Sequence, residues 1–196
     1  LAWSRGLGDV YKRQVPGSTA FAGIFQVQPG HVVKVQRQGG LLRTSGHKYW
    51  DLDFPKADER DPAISEEEHI KAIRSSLLEA IEMRLVADVP VGCYLSGGID
   101  SCSILGLAAA VNQSPIKAFT IGFDDSRYDE TDIAKEMAEA TDAEQDVMRL
   151  SGDDLYDHFE TTLWHTERTI YNTLGVAKSL MSRHVRHVNY KVVLTG

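Results

Sequence analysis

The chain has 196 residues, 42% hydrophobic and 25% charged, the composition of a globular protein with room for one domain and a piece of another. A formal net charge of −7 argues against a broad nucleic-acid footprint, which needs clustered Lys and Arg. No apolar run is long enough to span a membrane, and two cysteines, Cys93 and Cys102, do not make a disulfide framework, so a reducing cytoplasm is the expected setting.

In chain order, the first readable stretch is "SRGLGDVYKRQ", Ser4–Gln14. All eleven residues agree with one reading frame of a transposon-based sequencing-library adapter. Residues 1–14 are therefore read as a scar outside the fold, and the chain is expected to be an internal piece of a longer protein. Residues 15–54 are β-like. "HVVKVQ" alternates, Gly39–Gly40 marks a turn, and "HKYWDLDF" resumes an extended pattern. That is about one hairpin, too little to be stable alone. Residues 55–64, "PKADERDPAI", read as a linker.

Ser65 then opens a helix, with Glu68 at the capping-box spacing and Ile70, Ile73, Leu77, Ile81 and Leu85 on one apolar stripe. An α/β rhythm follows. Strands are predicted at 91–95, 116–123, 146–150 and 190–195, and helices at 100–111, 129–140, 153–164 and 173–188. This alternation predicts an α/β fold, a parallel sheet with helices on both faces.

Ligands of such sheets bind beyond the carboxyl ends of the strands. Three loops fall there: 96–101, 122–127 and 195–196. The first lies in "GCYLSGGIDSCS", Gly92–Ser103. Gly97 and Gly98 allow a tight turn with outward amides, and the next helix adds its positive end. Ser96 and Ser101 offer hydroxyls. Asp100 would repel a phosphate unless a cation lay between them, which implies Mg²⁺. A bare glycine pair before an acid is equally well read as a turn with Asp100 capping the helix; the full strand–loop–helix string favours phosphate. The loop has no lysine of the kind that kinase-like loops place at the β- and γ-phosphates. Amides, hydroxyls and one Mg²⁺-binding acid suit pyrophosphate as a leaving group, with chemistry at the α-phosphorus.

"SGGIDS" resembles the pyrophosphate-loop motif of the ATP pyrophosphatase family. "ADVPVGCYLSGGIDS", "AFTIGFDD", "YDETDIAKEMAE" and "VAKSLMSRHVRHVNYKVVLTG", in this order, resemble the glutamine-hydrolysing asparagine synthetase family. "VPGSTAFAGIFQVQPGH" and "YWDLDF" are similar to the end of that family's N-terminal glutaminase domain. The resemblance implies an adenine nucleotide alpha hydrolase-like ATP-binding domain over residues 65–196, after a hairpin remnant of the glutaminase domain over 15–54. It implies a ligase that binds ATP and Mg²⁺, adenylates the β-carboxylate of aspartate, releases pyrophosphate and lets ammonia from glutamine displace AMP. It places pyrophosphate on Ser96, Gly97, Gly98 and Ser101, Mg²⁺ on Asp100, and catalysis on Ser96, Asp100 and Ser101. It places adenosine on the backbone of Tyr94 and Ile121, with Tyr94 standing where an aliphatic residue is common. Thr195 and Gly196 match the start of the next nucleotide loop, after which an acidic "EGxDE" stretch is expected. The implied partners are small molecules, with no nucleic acid and no membrane, and a homodimer is compatible. The family's glutaminase nucleophile is an N-terminal cysteine. Cys93 and Cys102 read instead as packing residues, so this chain alone is expected to be inactive. Related synthetases that adenylate another carboxylate and close a ring are the alternative.

Other features are read more plainly. His184 and His187, with Arg183 and Arg186, are expected on a solvated basic face near a helix C-terminus. Glu167, in "HTE", either helps organise a substrate pocket or forms a surface ion pair. Asp124 and Asp125 either touch ribose or turn the chain. A parallel sheet broken off at this point would leave an edge and apolar helix faces open, so low solubility is expected of the chain by itself.

Overall fold

The computed structural model describes residues 17, 19, 21–59, 64–112, 114–167, 170 and 172–196. The adapter-like residues 1–14 and linker residues 60–63 lie outside the described residues. The chain divides into two compact units: residues 1–62 with 166–171, and residues 63–165 with 172–196.

The first unit holds the hairpin. Strands β1 (His31–Gln38) and β2 (Leu41–Lys48) pair antiparallel, with Gln38 opposite Leu41. Gly39 and Gly40 both have positive φ, +57° and +81°, as a two-residue hairpin turn requires. The second strand thus begins at Leu41, and the "YWDLDF" part of the expected extension is not strand. A short 3₁₀ turn follows at Ala57–Glu59.

The second unit begins with helix α1 (Glu66–Leu85). The Ser65 hydroxyl accepts from the Glu68 amide, and the Glu68 carboxylate accepts from the Ser65 amide at 2.8 Å. Of the apolar stripe only Ile81 is buried, while Ile70 and Ile73 stay 59% and 61% exposed. Periodicity announces a helix, but burial depends on a neighbour, and Ile81 joins the core near α2 (Ile99–Val111).

The sheet contains β3 (Val91–Tyr94), β4 (Lys117–Phe123), β5 (Glu144–Leu150) and β6 (Val192–Leu194), all parallel, in the order β5-β4-β3-β6. Helix α3 (Thr131–Ala140) joins β4 to β5. After β5 come α4 (Gly152–Asp157), α5 (Phe159–Thr166) and α6 (Leu174–His187). The expected helix over 153–164 is two helices. A second capping box, Ser151 with Asp154, starts α4, and non-helical His158 separates it from α5.

Helices cover both faces, as the sequence predicts. On one, α1, α2 and α3 close over Cys93, Leu95 and Ala118 with Leu105, Ala108, Ala134 and Ala138. On the other, Met181 and Val185 of α6 cover Phe119, and Tyr190 meets that ring edge-on at 5.3 Å. Strand β4 is built for this split. Ala118, Thr120 and Gly122 share one face, and Phe119 and Ile121 the other, because side chains alternate along a strand. Gly92 sits beside the large residues. A Cβ there would stand 2.7 Å from Phe119 Cε2 and 3.0 Å from the Lys117 carbonyl oxygen. Gly92→Ala is therefore expected to destabilise the domain by about 1–3 kcal/mol through overpacking, read as a lower denaturation midpoint in urea.

The basic face of α6 differs from expectation at one residue. Met181, His184, Val185 and Val188 fall at helical spacing and turn to the sheet, and His184 Nε2 lies 2.8 Å from Asp146 Oδ1 on β5. Lys117 completes this group, 2.7 Å from Glu144 and 3.6 Å from Asp146. Arg183, Arg186 and His187 remain exposed.

The capping carboxylates give a pH dependence. The Ser65 amide and hydroxyl hold Glu68 below the ordinary carboxylate range, and the Ser151 hydroxyl and amide do the same for Asp154. A carboxyl whose folded value is lowered contributes stability above its unfolded value and loses it as pH falls through the folded one. The urea midpoint is expected to fall on acidification below the usual carboxylate range. Glu68→Gln with Asp154→Asn should flatten that fall, measured on the same protein across pH.

Candidate functional site

The order of the strands locates the site. From β3 the chain steps outward to β4 and β5, then returns to place β6 on the other side of β3. The direction of winding therefore reverses between β3 and β6, the switch point at which open parallel sheets form a crevice at their carboxyl ends. The loop after β3 is 96–101, and the residues after β6 are Thr195 and Gly196. They meet: a Cβ on Gly196 would lie 2.5 Å from the Asp100 carbonyl carbon and 2.6 Å from the Ser101 amide nitrogen.

The loop itself is held by its serines. The Ser101 hydroxyl donates to the Gly98 carbonyl at 3.0 Å and accepts from the Ser96 amide at 3.2 Å. The two hydroxyls are 3.1 Å apart. Each has a single hydrogen, and that of Ser101 is already on Gly98, so Ser96 donates to Ser101. Both hydroxyl hydrogens thus serve the loop, and Ser96, the exposed one, must rotate to donate to a ligand. Ser101 is buried at 8% exposure.

The two glycines do different things. Gly97 has φ +79°, a left-handed conformation that a side chain rarely adopts. Gly98 is the N-cap of α2 at φ −72°, ψ 154°, where any residue fits, and a Cβ there meets only Ser96 Oγ at 3.4 Å. The bend is therefore made by Gly97 alone, and Gly98 leaves an open approach to the first turn of α2. Gly98 supplies no side-chain cap to that turn, unlike Ser65 on α1 and Ser151 on α4. Asp100 follows with an exposed carboxylate that has no hydrogen-bond or ion-pair partner among the described residues. Helix N-terminal amides without a side-chain cap, with an unpaired carboxylate beside them, have the chemistry to take an anion accompanied by a cation. Among the described residues no three His, Cys, Asp or Glu side chains gather around one point, so a cation here would rely on oxygens of the anion as well.

Tyr94 and Ile121, expected to meet adenosine, also fall near the crevice. The Leu95 amide donates to the Phe119 carbonyl at 2.9 Å. In a parallel ladder the odd residues of β4 then direct their amide and carbonyl towards β3, and the even ones towards β5, as the Glu144-to-Ile116 bond confirms. Ile121 is odd, and β3 has already ended at Tyr94, so its polar backbone faces the space beside the loop. The Tyr94 side chain turns away, into the α6 face, where its hydroxyl donates to Ser182 Oγ at 3.2 Å. That leaves its main chain at the mouth.

In the second loop, Asp125 is occupied with the turn. It accepts from the Arg127 amide and holds the Arg127 guanidinium at 2.6 Å, which keeps its carboxyl below the usual range. Asp124 has no side-chain partner among the described residues, and its amide donates to Leu150. Glu167 has a left-handed backbone, φ +51°, and no ion pair among the described residues. Cys93 is fully buried, and desolvation pushes its thiol up to about 11, which suits a packing residue and not a nucleophile. A cavity of about 400 Å³ between α1 and β6 is lined by Leu77, Ile81, Arg84, Ile104, Val193 and the predicted site residue Thr195. The sequence did not reveal what backs Gly97: its Cα faces Ile133 and the Glu130 carbonyl at the start of α3.

Fold and loop together define a class, a parallel α/β domain with a glycine turn and a helix N-terminus at its switch point. The asparagine synthase family model matches residues 72–196, and the chain belongs to that family. Amidase chyE of Penicillium rubens is 35% identical over 93% of this chain, and amidase chry2 of Gibberella zeae 32% over 93%. Glutamine-hydrolyzing asparagine synthetase 1 of Bacillus subtilis is 26% identical over 91%. The chain spans 29%, 29% and 27% of the length of these relatives. Among solved structures, an NH3-dependent NAD synthetase from Campylobacter jejuni gives a TM-score of 0.46 at 18% identity, over 64% of this chain and 56% of that one. No helix among the described residues is long and apolar enough to cross a membrane.

Proposed function

We propose that the protein containing this chain is an ATP-dependent amide-forming ligase of glutamine-dependent asparagine synthetase type. In this reading it adenylates the β-carboxylate of aspartate, releases pyrophosphate, and lets ammonia drawn from glutamine displace AMP. The observation that carries the reading is the meeting, at the switch point, of the Ser96–Ser101 loop, the open first turn of α2 and Gly196.

The residues fit ATP and Mg²⁺. Gly98 leaves the approach free, the α2 amides point into it, and Asp100 offers an unpaired carboxylate for Mg²⁺. When bound, Mg²⁺ neutralises charge on the departing pyrophosphate. The chain's own part is positioning. The Gly97 bend opens the approach to the first turn of α2, the helix N-terminus favours the anion, and the Ser96 and Ser101 bonds hold the loop. Gly196 lies against Asp100 and Ser101 on the second side, with Thr195 next to it in the chain. The backbone of Tyr94 and Ile121 holds the adenosine.

A second reading keeps this chemistry and changes the carboxylate. It is favoured by the greater identity to two proteins named amidases, 35% and 32%, than to the asparagine synthetase, 26%. The test is ATP–pyrophosphate exchange by the full-length protein with aspartate and with a panel of aliphatic and aromatic carboxylic acids. Exchange with aspartate supports the first reading, and exchange with another acid alone supports the second. No exchange with any acid overturns both.

A further inference from the structure

Resting on the reading that the Ser96–Ser101 loop holds pyrophosphate, we propose that Asp129, clasped by Arg149, is a positioning residue for that loop. Gly97 can bend as it does only against something fixed. Its missing Cβ would stand 3.1 Å from Ile133 Cβ and 3.3 Å from the Glu130 carbonyl oxygen, both in the first turn of α3. The start of α3 is therefore the wall of the glycine turn.

That wall is weakly held by its own helix. The N-cap of α3 is Glu130, at φ −107°, ψ 18°, and its side chain makes no cap bond. Asp129 supplies the tie. Its Oδ1 accepts from the Thr131 amide at 3.2 Å, and its Oδ2 takes Arg149 Nη1 at 3.3 Å. Arg149 is on β5, and its stem reaches Asp129 across β4 at Gly122. A Cβ on Gly122 would lie 3.4 Å from Arg149 Cγ and 3.1 Å from Thr131 Cγ2. The Asp129 side chain is 20% exposed and the Arg149 side chain 59%. The tie runs from edge strand β5, paired along its length to β4, through an ion pair, to the turn that backs Gly97. Both Asp129 oxygens are taken up, by the Thr131 amide and by Arg149, so in this proposal the pair acts through the loop and not on the substrate.

The experiment uses the full-length protein and reads ATP–pyrophosphate exchange, with the KM for ATP and the KM for the carboxylate measured separately. Asp129→Asn keeps an oxygen for the Thr131 amide and removes the ionic clasp. Arg149→Ala removes the clasp from the other side. Each is expected to raise the KM for ATP about tenfold, a small displacement of a phosphate-positioning loop, and to leave the KM for the carboxylate within about twofold. The double variant should be no worse than either single, because both break one interaction, and Arg149→Lys should recover most of the loss. An unchanged KM for ATP in the single variants, or losses that simply add in the double variant, overturns the proposal. Arg149 lies mostly at the surface, so Arg149→Ala carries the test if Asp129→Asn does not fold. Absence of exchange in the unmodified protein strikes the functional reading; normal exchange with unresponsive variants strikes only this inference.

Discussion

Asp100→Ala in the full-length protein is expected to lower carboxylate-dependent ATP–pyrophosphate exchange on the order of a thousandfold, the scale at which loss of one essential charge-neutralising group is felt. The carboxylate is exposed, lies in the first turn of α2, and has no partner among the described residues. Nothing in the fold depends on it beyond a favourable interaction with the helix N-terminus. The melting temperature should therefore move by no more than about 2 °C. Asp100→Asn keeps the shape and removes the charge, and should be nearly as inactive. Raising Mg²⁺ should restore part of the exchange in Asp100→Asn if the group acts on the cation. Exchange that persists in either variant removes Asp100 from the site, even if the rest of the loop still binds nucleotide.

The second large effect separates the two glycines. Gly97→Ala forces a side chain into a left-handed backbone, at about 1–2 kcal/mol, and drives its Cβ towards Ile133. It should lower both stability and exchange. Gly98→Ala has an ordinary extended backbone and meets only Ser96 Oγ. Its stability should stay within about 1 kcal/mol, since the less favourable N-cap is offset by a stiffer unfolded chain. Its exchange should nevertheless fall about a hundredfold, because the new methyl occupies the approach to the α2 amides. Thermal melts and exchange assays on the two variants give the comparison. Full exchange in Gly98→Ala would mean that the anion does not come close to this backbone.

Much of this arrangement could be read from local chemistry. A capping box needs only Ser65 and Glu68 three residues apart, and the helix begins there. The tight turn after β3 could be read from Gly97 and Gly98, because glycine adopts the backbone that such a bend needs. In the parallel sheet, strand boundaries moved by one or two residues wherever pairing decided them. Strand β5 starts at Glu144 because that residue stands opposite Lys117. His184 escaped the reading for a related reason. Its charge and position suit a solvated helix end, and only the packing of α6 on β5 turns it to Asp146. The division of labour between Gly97 and Gly98 was equally hidden, because a backbone angle is not written in a residue name.

By itself the sequence determined the order of the main strands and helices, the strand–glycine turn–helix form of the 96–101 loop, and the family. These follow from periodicity, turn chemistry and local spacing, which act over a few residues at a time. The tertiary structure alone decided that β6 returns beside β3, that Gly196 therefore lies on the first turn of α2, and that Arg149 reaches across Gly122 to hold the wall behind Gly97. Those contacts join residues far apart in the chain. Their pairing is set by how helices of given bulk cover the two faces of one sheet, and no local pattern records it.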